Sequence, residues 1–172
     1  MLSRTHEGRM VHMNEMPASG NPRQFPQNML FLQREDGTFA EVGAFARLDR
    51  SDWSWTPIFL DVDLDGFEDL LVSNGHEVYS LDADASQQVE AMRKQQRMSV
   101  AEQRKLNRFF PRLNPVNAAF RNRSDLTFDD VSAEWGFTEE SVTHGMALAD
   151  LDNDGDLDLV CNNMNQGAFV YR

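Results

Sequence analysis

The chain has 172 residues, of which 41% are apolar and 10% aromatic, and its formal net charge is −12. This length and composition allow a substantial hydrophobic core and exclude a disordered tail. The excess of acidic residues argues against a nucleic-acid-binding surface, and no stretch is apolar enough to span a membrane. The single cysteine, Cys161, excludes an internal disulfide and leaves the redox compartment open.

Residues 1–27 carry little periodic pattern. Pro17, Gly20, Pro22 and Pro26 interrupt any regular element, so we expect an irregular N-terminal arm. The arm lacks the apolar core of a signal peptide, as expected of a cytoplasmic protein or of a piece of a longer secreted chain.

Residues 28–81 have the pattern of a β repeat. Apolar and polar residues alternate on both sides of Gly37, which predicts a hairpin, because glycine adopts the positive φ of a tight turn without penalty. A further apolar run leads into an aspartate-rich loop, and a short buried strand follows it. The predicted strands cover residues 28–33, 38–42, 55–60 and 70–72.

Residues 82–114 differ in kind and predict a helical insertion. Residues 82–110 are rich in Gln, Arg, Lys, Ala, Met and Glu and contain neither glycine nor proline. Ser99 and Glu102 have the spacing of a capping box, and Pro111 ends the pattern. The insertion carries a basic cluster, either an ordinary solvated face or a docking surface for acidic groups. Its members are Arg93, Lys94, Arg97, Arg104, Lys105 and Arg108.

Residues 115–172 repeat the order of residues 28–81 at an offset of 89 positions. Each copy contains a strand, a turn, a strand, a connector, a strand, an aspartate-rich loop and a final strand. The sequence therefore predicts an all-β fold of two tandem units with the helices inserted between them. The pairs at this offset include Asn28 with Asn117, Phe31 with Phe120, Thr38 with Thr127, Phe39 with Phe128, Val42 with Val131, Leu70 with Leu159 and Asn74 with Asn163.

The two aspartate-rich loops, residues 61–69 and 150–158, both read D-x-D-x-D-G-x-x-D. Carboxylates this dense repel one another unless a hard cation neutralises them, and calcium takes six to eight oxygen ligands. Positions 1, 3 and 5 would supply carboxylates, position 7 a backbone carbonyl and position 9 a closing carboxylate. We therefore predict two Ca²⁺ sites, formed by Asp61, Asp63, Asp65, Phe67 and Asp69, and by Asp150, Asp152, Asp154, Asp156 and Asp158.

These loops are not EF-hands, because an EF-hand needs a glutamate at position 12. Val72 and Cys161 occupy that position here, each within an apolar strand. The absence of histidine and cysteine from the nine-residue loops disfavours zinc and copper. A solvated acidic turn is the alternative for a single loop, but two loops in register within a longer repeat favour calcium.

The motifs quoted above resemble the FG-GAP/VCBS repeats of integrin-α-like β-propellers. More narrowly, the chain looks like the bacterial extracellular proteins in which such repeats accompany an ASPIC/UnbV domain. The matching residues are 117–120 with 126–128, residues 144–149 and both aspartate loops. Two departures make the FG-GAP signature degenerate: Thr56-Pro57 replaces the glycine seen at Gly145, and Leu126 takes the place of the turn glycine Gly37.

The resemblance implies part of a seven-bladed propeller, cut at both ends from a longer array of neighbouring blades. It also implies export to an extracellular or cell-surface location. The implied role is binding, adhesion or scaffolding, with calcium structural and a protein or a carbohydrate as the unidentified ligand.

Evidence for an enzyme is weak. His76 and His144 have no serine partner at catalytic spacing, and no phosphate-binding loop is present. Trp53, Trp55 and Trp135 are suited either to sugar stacking or to packing between sheets. We expect no enzymatic activity, and a propeller-fold polysaccharide hydrolase or lyase is the alternative.

Overall fold

A computed structural model describes residues 27–95, 98–164 and 166–172. The predicted arm lies outside these residues except for residue 27, and so does Arg97 of the basic cluster. Within the described residues, no helix combines the length and the apolarity needed to cross a membrane.

The strands described are β1 Phe31–Gln33, β2 Phe39–Glu41, β3 Ser54–Leu60, β4 Asp69–Asn74, β5 Ala118–Asn122, β6 Phe128–Asp130, β7 Thr143–Ala149, β8 Asp158–Asn163 and β9 Phe169–Tyr171. The helices described are α1 Ala83–Gln95, α2 Val100–Arg104 and a 3₁₀ helix, Lys105–Phe109.

The described strands form three antiparallel sheets. The first pairs β1 with β2, the second has the order β3-β4-β5-β6, and the third has the order β7-β8-β9. Each aspartate-rich loop connects the first two strands of its sheet, β3 to β4 and β7 to β8. The expected β architecture with a helical insertion is confirmed.

The sequence repeat and the four-stranded sheet are out of phase, which means that the sheet begins and ends at different points of the chain from a copy of the repeat. The bounds of β2, β3 and β4 recur in β6, β7 and β8 at the offset of 89 residues. Yet the four-stranded sheet takes β3 and β4 from the first copy and β5 and β6 from the second. The helical insertion thus lies between two copies of the repeat but connects the second and third strands of one sheet.

The four-stranded sheet is buried on both faces around β4, because successive side chains of a strand point to opposite sides. Leu70 and Val72 contribute to one hydrophobic cluster, which includes Phe120 and Phe128. Leu71 contributes to a second cluster on the other face. The remaining buried members of that second cluster are Ala119, Val131, Phe137, Leu159 and Cys161.

The turn of the second hairpin explains one departure from the family pattern. Leu126 adopts φ 69°, in the left-handed region where Gly37 of the first hairpin has φ 79°. In both hairpins an aspartate preceding this residue, Asp36 or Asp125, accepts the backbone N–H of the threonine that follows it, at 2.9 Å. The side-chain hydrogen bond therefore holds the same turn shape without the glycine.

Residues 77–113 form a separate compact unit. Asp82 accepts a hydrogen bond from the Ala85 N–H at 2.8 Å at the start of α1. The predicted capping box is present at α2, where Ser99 and Glu102 satisfy each other's backbone N–H groups. Val89 and Leu106 of this unit are buried.

Candidate metal centres

The loop between β3 and β4 brings three carboxylates together. Oxygen atoms of Asp61, Asp63 and Asp65 all lie within 4.8 Å of one another. Asp63 and Asp65 are exposed and Asp61 is half-buried. The cluster therefore offers oxygen ligands to a cation arriving from solvent.

Backbone hydrogen bonds shape this loop around its first aspartate. Asp61 accepts the N–H of Asp65 at 3.0 Å and the N–H of Gly66 at 2.9 Å. Asp65 in turn accepts the N–H of Phe67 at 2.8 Å. The chain reverses through Leu64, φ 59°, and Gly66, φ 91°, a backbone angle that glycine adopts without steric penalty.

The loop between β7 and β8 repeats this geometry. Asp150, Asp152 and Asp154 form the second cluster with oxygens within 4.8 Å of one another. Asp150 accepts the N–H of Gly155 at 3.2 Å, and Asp154 accepts the N–H of Asp156 at 3.0 Å. Asn153 and Gly155, with φ 59° and 101°, reproduce the two positive angles of the first loop.

The predicted position-9 ligands, Asp69 and Asp158, are placed differently. Both are buried, and neither belongs to the three-carboxylate clusters. Asp69 accepts the N–H of Val62 at 3.0 Å and the N–H of Asn122 at 2.8 Å. Burial raises the pKa of Asp69, and these two hydrogen bonds oppose that rise. Asp158 likewise accepts the N–H of Leu151 at 2.8 Å. In this structure position 9 ties the ends of the loop together.

The predicted position-7 carbonyls belong to Phe67 and Asp156. Both residues donate their N–H groups to position-5 aspartates in the arrangements above. Their role as carbonyl ligands stays a prediction.

Sequence reasoning missed an arginine beside each loop. The Arg121 Nε atom lies 2.9 Å from Asp63 Oδ2, a close charge contact rather than an aligned hydrogen bond. The Arg172 Nη1 atom lies 3.3 Å from Asp152 Oδ2. Each arginine directly follows an aromatic residue that pairs with the strand after the loop, Phe120 with Leu70 and Tyr171 with Leu159. The sequence signal for these two arginines was the repeated aromatic–arginine pair, Phe120-Arg121 and Tyr171-Arg172.

The histidines considered for catalysis contact tryptophans. The rings of His144 and Trp55 are 4.6 Å apart between centroids, and those of His76 and Trp53 are 5.1 Å apart. Trp55 and His144 occupy equivalent positions of the two repeats and meet where β3 packs beside β7. Thr56 also donates its hydroxyl to the His144 carbonyl at 2.8 Å, so this contact joins neighbouring sheets.

Two members of the basic cluster have partners within the insertion. Lys94 pairs with Glu90 at 2.8 Å across one helical turn, and the Arg108 guanidinium lies over the Phe109 ring at 5.0 Å. These contacts are typical of a solvated helical surface.

The chemistry of the two clusters follows from their donor sets. Each consists of three aspartates in a loop stabilised by backbone hydrogen bonds. Hard oxygen donors suit Ca²⁺ or Mg²⁺, and the thiolate and imidazole donors that favour zinc or copper are not among them. The residues present therefore fit a hard divalent cation.

Comparison with known proteins gives a family match. A family model described as FG-GAP-like repeat matches the chain twice, at residues 18–72 and 111–161. Together the matches span more than half of the chain, and each contains an aspartate-rich loop. No curated protein matched the chain significantly.

Proposed function

Because the chain belongs to the FG-GAP-like repeat family and forms a partial β-propeller, we propose that it binds two calcium ions with a structural role. The segment serves binding, adhesion or scaffolding in an exported protein. The observation that carries this proposal is the same three-carboxylate cluster, with the same two positive backbone angles, in the loop between the first two strands of each sheet.

The first ion is held by the carboxylates of Asp61, Asp63 and Asp65. Asp69 and the Phe67 carbonyl complete the shell, since each carboxylate oxygen that accepts one hydrogen bond keeps capacity for another ligand. The second ion has the equivalent ligands Asp150, Asp152, Asp154, Asp156 and Asp158.

A structural role is supported by the position of the loops. Each loop joins two adjacent strands, so an ion held there fixes the loop that connects them. Asp69 extends this connection, because it also accepts the N–H of Asn122 at the end of the third strand, β5. Calcium bound to the folded loop but not to the unfolded chain would stabilise the sheet by mass action.

A non-catalytic role is supported by the contacts of the two histidines with Trp53 and Trp55. The partner that we propose is a protein or a carbohydrate, at an extracellular or cell-surface location. Neighbouring β-sheets are proposed as further partners, because Phe31 and Phe39 of the two-stranded sheet are 56% and 61% exposed. Their counterparts in the second repeat, Phe120 and Phe128, are each 6% exposed.

The experiment is thermal unfolding in calcium and in chelator, combined with calorimetric titration. The unchanged chain should bind two calcium ions. At a free concentration of about one hundred times Kd, each ion should raise the free energy of unfolding by about 2.7 kcal/mol. Asp61→Asn keeps an oxygen acceptor for the loop but removes a charge, and should abolish most of the stabilisation from the first site. Adding Asp150→Asn should remove most of the rest.

The matched control is Glu35→Gln, which removes one charge from an exposed hairpin turn that belongs to neither loop. It should retain the full calcium effect. Identical melting curves of the unchanged chain in calcium and in chelator would contradict the proposal.

A further inference from the structure

In each loop the position-3 aspartate already has a cationic partner within the protein. Arg121 contacts Asp63 at 2.9 Å, and Arg172 contacts Asp152 at 3.3 Å. Arg121 lies within β5, the third strand of its sheet, and Arg172 directly follows β9, the third strand of the other sheet. In each sheet the first two strands are joined by the loop. The arrangement recurs in both sheets, so it belongs to the repeat rather than to one surface position.

Other contacts hold the Arg121 guanidinium in place. Its Nη2 atom donates to Glu134 Oε1 at 2.9 Å, and its Cζ atom lies 5.1 Å from the centre of the Trp135 ring. The guanidinium is charged at any ordinary pH, and the hydrogen bond to Glu134 raises the pKa of Arg121 further. The side chains of Arg121 and Asp63 are 34% and 29% exposed, which reduces solvent screening between them.

We propose that Arg121 and Arg172 are the resident counterions of the two loops, and that each competes with calcium for the charge of its position-3 aspartate. The competition rests on the proposed calcium function. Without the ion, the arginine neutralises one of three converging carboxylates and ties the loop to the third strand. With the ion bound, the guanidinium and the calcium ion both face the same aspartate.

The sign of the effect on affinity follows from these charges. The guanidinium attracts the carboxylates whether or not the ion is bound, and it repels a divalent cation only in the loaded loop. This repulsion weakens calcium binding. An arginine that only oriented Asp63 for the metal would have the opposite effect, because its loss would leave the ligand misplaced.

The test is Arg121→Gln, studied in an Asp150→Asn/Asp154→Asn background so that binding reports on the first loop. We expect calcium to bind roughly threefold to tenfold more tightly than to the background protein. The melting temperature in chelator should fall, and the increase in melting temperature on adding calcium should become larger. The measurements are competition against a chromophoric chelator and thermal unfolding.

Arg123→Gln is the matched control. It removes the same charge two residues away, where, among the residues that the structure describes, Arg123 forms its ion pair with Asp129 at 3.0 Å rather than with the loop. Its calcium affinity should stay within about twofold of the background. Unchanged or weaker calcium binding by Arg121→Gln would overturn the competition, as would an equal gain in the control.

A second experiment separates this inference from the calcium proposal. Arg121→Gln, Asp63→Asn and the double variant are compared by urea unfolding in chelator. We expect coupling between the two sites, with the double variant losing less stability than the two single losses added together. If the stability losses are additive, the proposal that Arg121 is the resident counterion of the loop is wrong, even if calcium binds. Failure of the unchanged chain to bind calcium would overturn the competition and the proposed function, while this cycle still decides whether the ion pair stabilises the loop.

Discussion

Cys161 is completely buried in the cluster between the second and third sheets. Its only side-chain contact of hydrogen-bonding type among the described residues is weak, with Asn117 Nδ2 at 3.9 Å from the sulfur. Burial without a cationic neighbour raises the pKa of the Cys161 thiol to about 11. The residue is thus a neutral part of the core at ordinary pH.

This pKa predicts an alkaline loss of stability. A thiol whose pKa is raised by folding contributes fully below its unfolded value, near 9, and loses that contribution as the pH rises towards 11. Cys161→Ser does not titrate in this range and should show a shallower fall in unfolding free energy between pH 9 and 10.5. Urea unfolding at several pH values measures the slopes, and parallel slopes would contradict the assignment.

At the scale of single residues, the sequence predicted the carboxylate clusters well, because the spacing of the aspartates is local and repeated. Positions 1, 3 and 5 converge because the loop around Asp61 folds on its own backbone hydrogen bonds. The contact between Arg121 and Asp63 was missed because the two residues meet only when β5 pairs beside β4. The repeated aromatic–arginine pair marks the two arginines in the sequence, but only the strand pairing shows which loop each arginine faces.

At the scale of elements, the helical insertion occupies the connection of an antiparallel strand pair. β4 and β5 are hydrogen-bonded neighbours, and Asn74 continues their contact by donating to the Val116 carbonyl at 3.1 Å. The ends of the insertion also meet, since the Leu113 N–H donates to the Glu77 carbonyl at 3.3 Å. Such a connection can be short without moving either strand.

We therefore expect residues 77–113 to be replaceable by an Asn-Gly turn. The shortened chain should fold and keep the same calcium-induced rise in melting temperature, because both loops lie in the other compact unit. Shortening the connection should itself raise the free energy of unfolding by roughly 1–2 kcal/mol through loop entropy. Circular dichroism and thermal unfolding measure both effects. Loss of the calcium effect would show that the insertion supports the loops.

The sequence located the four strands of each copy through alternation and the repeat, but placed several bounds imperfectly. The apolar run at 70–72 became the longer strand Asp69–Asn74, because Asp69 and Asn74 are buried and hydrogen-bonded at its ends. A buried aspartate at a strand end is not expected from propensity alone. Its hydrogen-bond partners are the Asn122 N–H of the neighbouring strand β5 and the Val62 N–H of the loop.

At the scale of the whole molecule, equivalent phenylalanines have different surroundings. Phe128 is 6% exposed in a cluster with Leu70 and Phe120, whereas its counterpart Phe39 is 61% exposed. The sequence repeat predicted the same role for both residues. It could not show that the described neighbours cover one copy and leave the other open.

The contrast predicts unequal costs for the same substitution. Phe128→Ala should lower the free energy of unfolding of this chain by about 3–5 kcal/mol, because it leaves a cavity in a packed cluster. Phe39→Ala should change it by about 0.5 kcal/mol or less, as is usual for exposed sites. Denaturant unfolding of the two variants measures the difference. Equal losses would show that Phe39 is covered in solution.

The phase difference between repeat and sheet has a consequence for how such a chain can grow. A duplicated copy of residues 28–81 would give its hairpin to one sheet and its next two strands to the following sheet. The strands of each added copy would therefore be hydrogen-bonded to strands of both neighbouring copies. Because the aspartate-rich loop travels in the same copy, each newly added junction would inherit its own cation site.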